Sequence, residues 1–352
     1  MSGRVLQSEY MYWAKQQLPV RYNLASSEVP HFAMSQWGVD PAALELDGAS
    51  RYRYPALREA IADKAGVTAD RVVMADGASM ANMLAMAGLI APGDEVLIEH
   101  PVYEPLVAAA RFLGAEVRHF TRAGPDFALD AAAVKAALTD KTTLIILTNL
   151  HNPTGNLADS QTLQAIGALG PRVLIDEVYL DAAGQPSAAL LGDAFVCTSS
   201  LTKVYGLSGL RCGWILAAPD VAERLWRLNE LFSVAQAHAT ERLALLALAR
   251  LDEVVGDTPA LLARNRAIAN DFFAGRAELE VAPMVHNVTC FPRLRHGDVN
   301  AMNLRLRADY DTSIVPGRFF GLADHFRLGI GMATEVLEAG LERLGRALDE
   351  LA

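Results

Sequence analysis

Lys203 closes the run Ser200-Leu201-Thr202-Lys203, with Arg211 and Gly213 a short way downstream. Apolar stretches at 194–198 and 212–217 flank it, so its ε-amine is expected to be partly stripped of water. Desolvation favours the neutral amine, and a neutral amine attacks a carbonyl to form an imine. One lysine carries little by itself, since most are solvated surface groups. The weight lies in what stands at the matching points of neighbouring segments.

In open α/β sheets, ligands bind outside the carboxyl ends of the strands. Gly77-Ala78-Ser79 joins an expected strand to an expected helix; its backbone N–H groups suit a phosphate, or Ser79 simply caps the helix. Pro101-Val102-Tyr103 sets an aromatic ring at a strand end, as a stacking surface or as packing. Asn152-Pro153-Thr154-Gly155 forms a turn whose Asn either caps it or donates to a ligand oxygen. Asp176-Glu177-Val178-Tyr179 follows a strand closely, so Asp176 is a loop cap or a buried acid facing a cation. Arg211 suits bidentate phosphate binding. Jointly these residues ask for a phosphate, a planar ring to stack, a ring cation and an aldehyde. Pyridoxal 5′-phosphate has all four.

The elements that would position them alternate from about residue 55 onward. Strands are expected at 71–74, 95–98, 115–120, 142–148, 172–175 and 195–198, and helices at 79–90 and 104–113. Residues 142–148 (TTLIILT) form a continuous, largely β-branched run, as in a strand buried on both faces of a parallel sheet. After about 235 the pattern changes: helices at 235–251 and 259–273, short strands near 279–292 and 325–330, and an amphipathic helix at 335–351. This reads as an α/β fold with a mostly parallel sheet in a large domain, 46–235. Residues 1–45 and 236–352 are expected to form a smaller α+β domain.

These motifs, with Val315-Pro316-Gly317, Gly321 and Arg327-Leu328-Gly329 downstream, resemble the class I and II aminotransferase family of fold-type I pyridoxal-phosphate enzymes over most of the chain. The resemblance implies a seven-stranded sheet between helices, and it implies roles. Lys203 corresponds to the Schiff-base lysine and later proton shuttle, and Asp176 to the acid paired with the pyridine nitrogen. Asn152 and Tyr179 correspond to donors to the phenolic oxygen, with Asn152 also beside the substrate. Tyr103 corresponds to the ring-stacking aromatic, and Ala78, Ser79, Ser200 and Arg211 to the phosphate cup. Arg327 corresponds to the arginine that binds the substrate α-carboxylate. Tyr52, in Ser50-Arg51-Tyr52-Arg53-Tyr54-Pro55, resembles the segment that reaches the neighbouring subunit's phosphate. The spacing there is shortened, so Tyr54 stays open beside it. A homodimer with a shared active site is implied.

The expected reaction is transamination between an L-amino acid and a 2-oxo acid, with Lys203 removing the α-proton. The same carbanion also expels a β-substituent, so a lyase or cyclase is the alternative. Ala25-Ser26-Ser27-Glu28-Val29 resembles the N-terminal segment of pyridoxal-phosphate cyclases of the capreomycidine synthase type. Glu28 stands where relatives often carry Gly, as a carboxylate facing a cationic substrate side chain or as a solvated loop acid. Arg51, Arg53 and Arg318 stay open as readers of a second carboxylate. Tyr10, Tyr12, Trp13 and Phe32 stay open between covering the pocket and packing.

Composition excludes several other classes. The 352 residues are 52% hydrophobic and 20% charged, ordinary for a well-buried enzyme and not for a disordered chain. A net charge of -10 disfavours a phosphate-backbone surface, and no basic recognition helix precedes the fold, so nucleic acid is not an expected partner. Cys197, Cys212 and Cys290 are odd in number and lack metal-ligand spacing, which fits a reducing cytoplasm and no metal site. No apolar N-terminal core of a signal peptide is expected, and the apolar stretch 80–90 is too short to span a bilayer.

Overall fold

The computed structural model describes residues 5–49 and 51–350. Ser50, the first residue of the Tyr52 segment, and the outermost residues 1–4 and 351–352 of the expected small domain lie outside that range. Helix α1 (Glu9–Gln16) and strand β1 (Tyr22–Asn23) come first. Then follow α2 (Pro55–Ala65), β2 (Val72–Asp76), α3 (Gly77–Leu89), β3 (Glu95–His100), α4 (Glu104–Phe112) and β4 (Glu116–Thr121). Next come α5 (Ala131–Ala137), β5 (Thr142–Thr148), α6 (Ser160–Gly167), β6 (Arg172–Asp176), β7 (Phe195–Ser200), β8 (Cys212–Leu216) and α7 (Pro219–Asn229).

Strands β2 to β8 make one seven-stranded sheet in the order β2-β8-β7-β6-β5-β3-β4. Only β8 runs antiparallel to its neighbours. Leu144 to Leu147 and Val173 to Ile175 are sealed from solvent on both faces, which explains their unbroken apolar sequence. Helix α3, apolar almost all round, is buried against β7, β8 and α7.

The register lines up the chemistry. Thr148 pairs with Asp176 and Asp176 with Thr198, so three polar side chains stand in one row at the carboxyl edge. Because β8 is antiparallel, it starts at that same edge, with Cys212 opposite Asp76. Arg211, immediately before it, is thereby delivered to the amino end of α3.

The remaining elements are α8 (His238–Ala249), α9 (Leu251–Val255), α10 (Thr258–Ala274), β9 (Leu279–Glu280), β10 (Thr289–Cys290), β11 (Arg293–Leu294), α11 (Val299–Tyr310), β12 (Thr312–Ser313), β13 (Val315–Pro316), β14 (Phe326–Gly329) and α12 (Thr334–Asp349). Strand β14 lies between β10 and β13, β9 pairs with β11, and β1 pairs in parallel with β12, which ties the N-terminal segment to this part of the chain. The single helix expected over 235–251 begins instead at His238 and breaks at Arg250, whose φ of -125° and ψ of 35° leave the helical range. Among the described residues, no helix is long and apolar enough to cross a membrane.

Candidate active site

A cavity of about 980 Å³ opens at the carboxyl edge of the sheet, lined among others by Tyr10, Glu28, Asp176, Lys203, Arg211 and Arg327. At one end lies the start of α3. Its cap residue is Asp76, not Ser79, and the Asp76 side chain makes no cap hydrogen bond. The first-turn N–H groups therefore point unopposed towards the pocket wall formed by Ala78 and Ser79. Arg211 Nη2 donates to the Asp76 carbonyl at 3.1 Å. Gly77, at φ +81°, makes that approach possible, since a β-carbon there would stand 2.5 Å from Arg211 Nη2. Gly213 has a similar duty: its β-carbon would stand 2.7 Å from Gly77 Cα. The result is a cationic, donor-rich cradle shaped for an anion. Ser200 is fully buried beside it and accepts from the Thr202 N–H at 3.3 Å.

Asp176 lies at the centre of the floor. Its Oδ2 accepts from Asn82 Nδ2 at 2.7 Å and its Oδ1 from the Val178 N–H at 3.0 Å. Asn82 Oδ1 accepts in turn from Thr198 Oγ1 at 2.6 Å. Burial pushes the Asp176 carboxyl above its ordinary value, against the pull of Asn82, the Val178 N–H and the charge on Lys203. Tyr179 is buried beside it. Tyr103, directly before α4, lines the same cavity, with its ring edge-on to Tyr10 at 5.9 Å.

Lys203 follows β7 and reaches back into the cavity. Its Nζ donates to Glu28 Oε1 at 2.8 Å. Here the expectation from sequence needs correcting. Burial does depress the amine, but Tyr179, Glu28 and Tyr10 outweigh it, and the lysine is held above its ordinary value as an ammonium. Glu28 alone among these brings a full negative charge into hydrogen-bond contact. Glu28 itself is neither a solvated loop acid nor unpartnered: it is half-buried and ion-paired with the lysine.

Arg327, 1% exposed, closes the cavity from β14. Nη1 donates to Asn152 Oδ1 at 3.2 Å, and Nη2 donates to the Tyr10 hydroxyl and the Ala25 carbonyl, each at 3.0 Å. Its Nε is buried with no partner among the described residues. A buried donor without an acceptor is costly, and it marks a place where a ligand oxygen would be welcome.

Asn152 is held from below. Its N–H donates to Thr148 Oγ1 at 2.8 Å, and Thr148 Oγ1 donates to Glu99 Oε1 at 2.6 Å. Glu99 also receives Arg122 Nη1 at 2.9 Å, and both charges are buried. Burial pushes Glu99 up, against Arg122 and the Thr148 donors.

The cavity thus brings together Ala78, Ser79, Tyr103, Asn152, Asp176, Tyr179, Ser200, Lys203, Arg211, Arg327 and Glu28. Tyr52 is not among them: it is 43% exposed on another face, hydrogen-bonded to Glu230 and edge-on to Trp226. Tyr54 is buried and accepts from Arg242 Nη1 at 2.9 Å. Asn82, Thr198, Thr148 and Glu99 went unread in the sequence. The available signal was a lone amide in the largely apolar stretch 79–90 and an acid, Glu99, directly after the apolar run 96–98 of β3, each of which needs a buried partner.

The profile of the family "Aminotransferase class I and II" matches residues 43–344. Capreomycidine synthase of Streptomyces vinaceus is 30% identical over 349 residues, covering 93% of this chain and 89% of the relative. Histidinol-phosphate aminotransferase of Sphingopyxis alaskensis is 33% identical over 308 residues, 82% of this chain and 80% of the relative. Among solved structures, the PLP-dependent cyclase OrfR superposes with a TM-score of 0.88 at 26% identity, covering 100% of this chain and 99% of its own. With these matches, the seven-stranded sheet and the lysine-centred cavity, the chain belongs to the aminotransferase class I and II family, enzymes of fold type I that depend on pyridoxal 5′-phosphate.

Proposed function

We propose that this enzyme is an aminotransferase moving an amino group between an L-amino acid and a 2-oxo acid. The observation that carries the reading is Arg327: a buried guanidinium with an unpartnered Nε, facing the same cavity as Lys203. A fork of donors at the edge of an amine-reactive site is what an α-carboxylate needs.

The residues present fit the cofactor. The uncapped start of α3 with Arg211 and Ser200 would hold its phosphate, Tyr103 would lie against its ring, and Asp176 would keep a proton on its ring nitrogen. Asn152 Oδ1 is committed to Arg327, which leaves Nδ2 to donate to the ring hydroxyl together with Tyr179. When bound, pyridoxal 5′-phosphate supplies an aldehyde for amino groups and a ring that accepts the electron pair left at the α-carbon. Lys203 Nζ would hold the cofactor and, when free, would take the α-proton. Arg327 fixes the carboxylate so that the α C–H bond faces Lys203.

A second reading, a lyase or cyclase, draws support from the similarity to capreomycidine synthase and to the cyclase OrfR. A single-turnover experiment separates the two. The loaded enzyme mixed with one amino acid and no acceptor should release about one keto acid per site and stop. Continued product formation without an acceptor would replace transamination by elimination or cyclisation.

We further infer a homodimer with a shared site, and a division into a large domain, 46–235, and a small one, 1–45 with 236–352. Exposed Tyr52 lies beside Glu230, and Leu231, Phe232 and Val234 project apolar surface next to it, as an interface between copies would. All strands of the large sheet fall within 72–216. Three free, buried cysteines support a reducing, cytoplasmic setting.

A further inference from the structure

Glu28 belongs to a short segment tied to the turn that carries Lys203. The Val29 N–H donates to the Lys203 carbonyl at 3.0 Å, and the Phe32 N–H donates to the Gly206 carbonyl at 3.1 Å. Gly206, at φ +64°, abuts the Pro30 carbonyl, and Gly331 abuts the Glu28 carbonyl; a β-carbon at either position would collide with it. Backbone contacts on three sides therefore fix Glu28 relative to Lys203, and the 2.8 Å ion pair follows from the fold. It is unlike an exposed surface pair that trades one partner for another.

The other titratable groups facing the lysine are Tyr10 from α1, Tyr179 after β6 and Asp176 at the end of β6. Tyr10 and Tyr179 present phenol hydroxyls and not carboxylates, and Asp176 is occupied by Asn82 and the Val178 N–H. Among the described residues, Glu28 is the one carboxylate in hydrogen-bond contact with Nζ.

We propose that Glu28 is a positioning residue for Lys203: its carboxylate holds the ε-ammonium in the cofactor-free chain and takes it back each time the lysine is released during turnover. The proposal rests on Lys203 being the lysine that joins the cofactor. Two consequences have opposite signs. On loading, the ammonium must first give a proton to solvent; its nitrogen then bonds to the aldehyde carbon and one water leaves. The Glu28 charge opposes that proton loss. In turnover the freed amine receives the α-proton and becomes an ammonium, which the same charge stabilises. Glu28 therefore slows loading and speeds proton removal.

The test uses the full-length chain stripped of cofactor and mixed with pyridoxal 5′-phosphate, with loading followed by absorbance. In Glu28→Gln, loading at neutral pH should be about tenfold faster, with its pH profile moved to lower pH. In the same variant kcat should fall about tenfold with KM little changed. Glu28→Asp should lie between wild type and Gln in both. A loading rate that is unchanged or slower in Glu28→Gln, or loading and kcat moving in the same direction, would overturn the proposal. Should that variant fail to fold by circular dichroism, the wild-type profile decides: loading should keep rising with pH through neutrality, and a plateau there overturns it. A wild-type chain that never attaches the cofactor to Lys203 would remove the functional reading as well, an outcome distinct from normal loading indifferent to Glu28.

Discussion

The floor and the rim of the cavity are built on different terms. On the floor, polar groups are partnered among themselves. Thr198, Asn82 and Asp176 form one chain of hydrogen bonds, and Arg122, Glu99, Thr148 and Asn152 form another. All of these residues stand on or beside the seven-stranded sheet, so these two chains are complete without a ligand. The rim comes from the N-terminal segment, and its oxygens go to two of the cations that would serve ligands. Glu28 takes Lys203, while Tyr10 and the Ala25 carbonyl take Arg327. The difference teaches that the floor is pre-organised for a cofactor, whereas the rim stands in for groups that arrive later.

The largest effect should come from the residue the two regions share. Lys203→Ala is expected to lower turnover by about 10³-fold or more, because it removes the amine that would take the α-proton. It should also abolish the absorbance of the lysine-bound cofactor. Retained activity with an unchanged spectrum would break the assignment of both regions at once.

Next comes the rim-facing cation. Arg327→Lys should reduce kcat/KM for the amino acid by about 10²-fold, mainly through KM, since one ammonium cannot reproduce the fork that meets Asn152, Tyr10 and a carboxylate together. Steady-state kinetics checks this. A change confined to kcat would mean that Arg327 serves the floor in function and not the rim it packs against.

A smaller effect is expected one layer down. Asn82→Ala removes the donor to Asp176 Oδ2 and the acceptor of Thr198 Oγ1. With that donor gone, the already raised Asp176 carboxyl should rise further, and cofactor affinity should fall about tenfold. Equilibrium dialysis against pyridoxal 5′-phosphate reads it directly. Unchanged affinity would show that the Asn82 bridge serves packing alone.

The two regions were also unequally legible in the sequence. The floor strands announce themselves: TTLIILT at 142–148 is the observed β5, and Asp176, Asn152 and Lys203 follow strands closely enough to be placed at the carboxyl edge. A buried parallel strand needs apolar residues on both faces, so the pattern is local and strong. The rim is not local. Arg327 meets Tyr10 and Ala25 through the packing of α1 on α4, the Gly329 N–H bond to the Leu24 carbonyl, and the pairing of β1 with β12 and of β10 and β13 with β14, and two-residue strands leave almost no periodicity to read. The charge state of Lys203 is hidden from the sequence for the same reason. Its flanking residues foretold burial, but the carboxylate that reverses the effect of burial comes from 175 positions away. The split of the expected 235–251 helix at Arg250 likewise has no Gly or Pro to signal it.

The last prediction concerns stability, where floor and rim part by pH. Glu177, directly after β6, is buried, and its Oε1 accepts from the Ala188 N–H at 2.8 Å. Burial pushes its carboxyl up from an ordinary 4.5 to about 7. A carboxyl raised on folding is most compatible with the native state while protonated. Its contribution is therefore whole below about 4.5 and is lost as pH rises through about 7. Asp176 and Glu99 are shifted in the same direction by the same cause. Lys203 on the rim side is raised above 10.5, so it stays charged throughout that window and contributes no slope there. The cofactor-free chain should accordingly melt at lower temperature at pH 8 than at pH 5.5, and Glu177→Gln should flatten the slope while keeping an acceptor for Ala188. The effect on kcat should be the smallest of the series, because Glu177 faces Ala188 and not the cavity. Thermal melts across pH test this; a Gln variant with the full wild-type slope would assign the pH dependence to Asp176 and Glu99, and so to the hydrogen-bond chains beneath the cofactor.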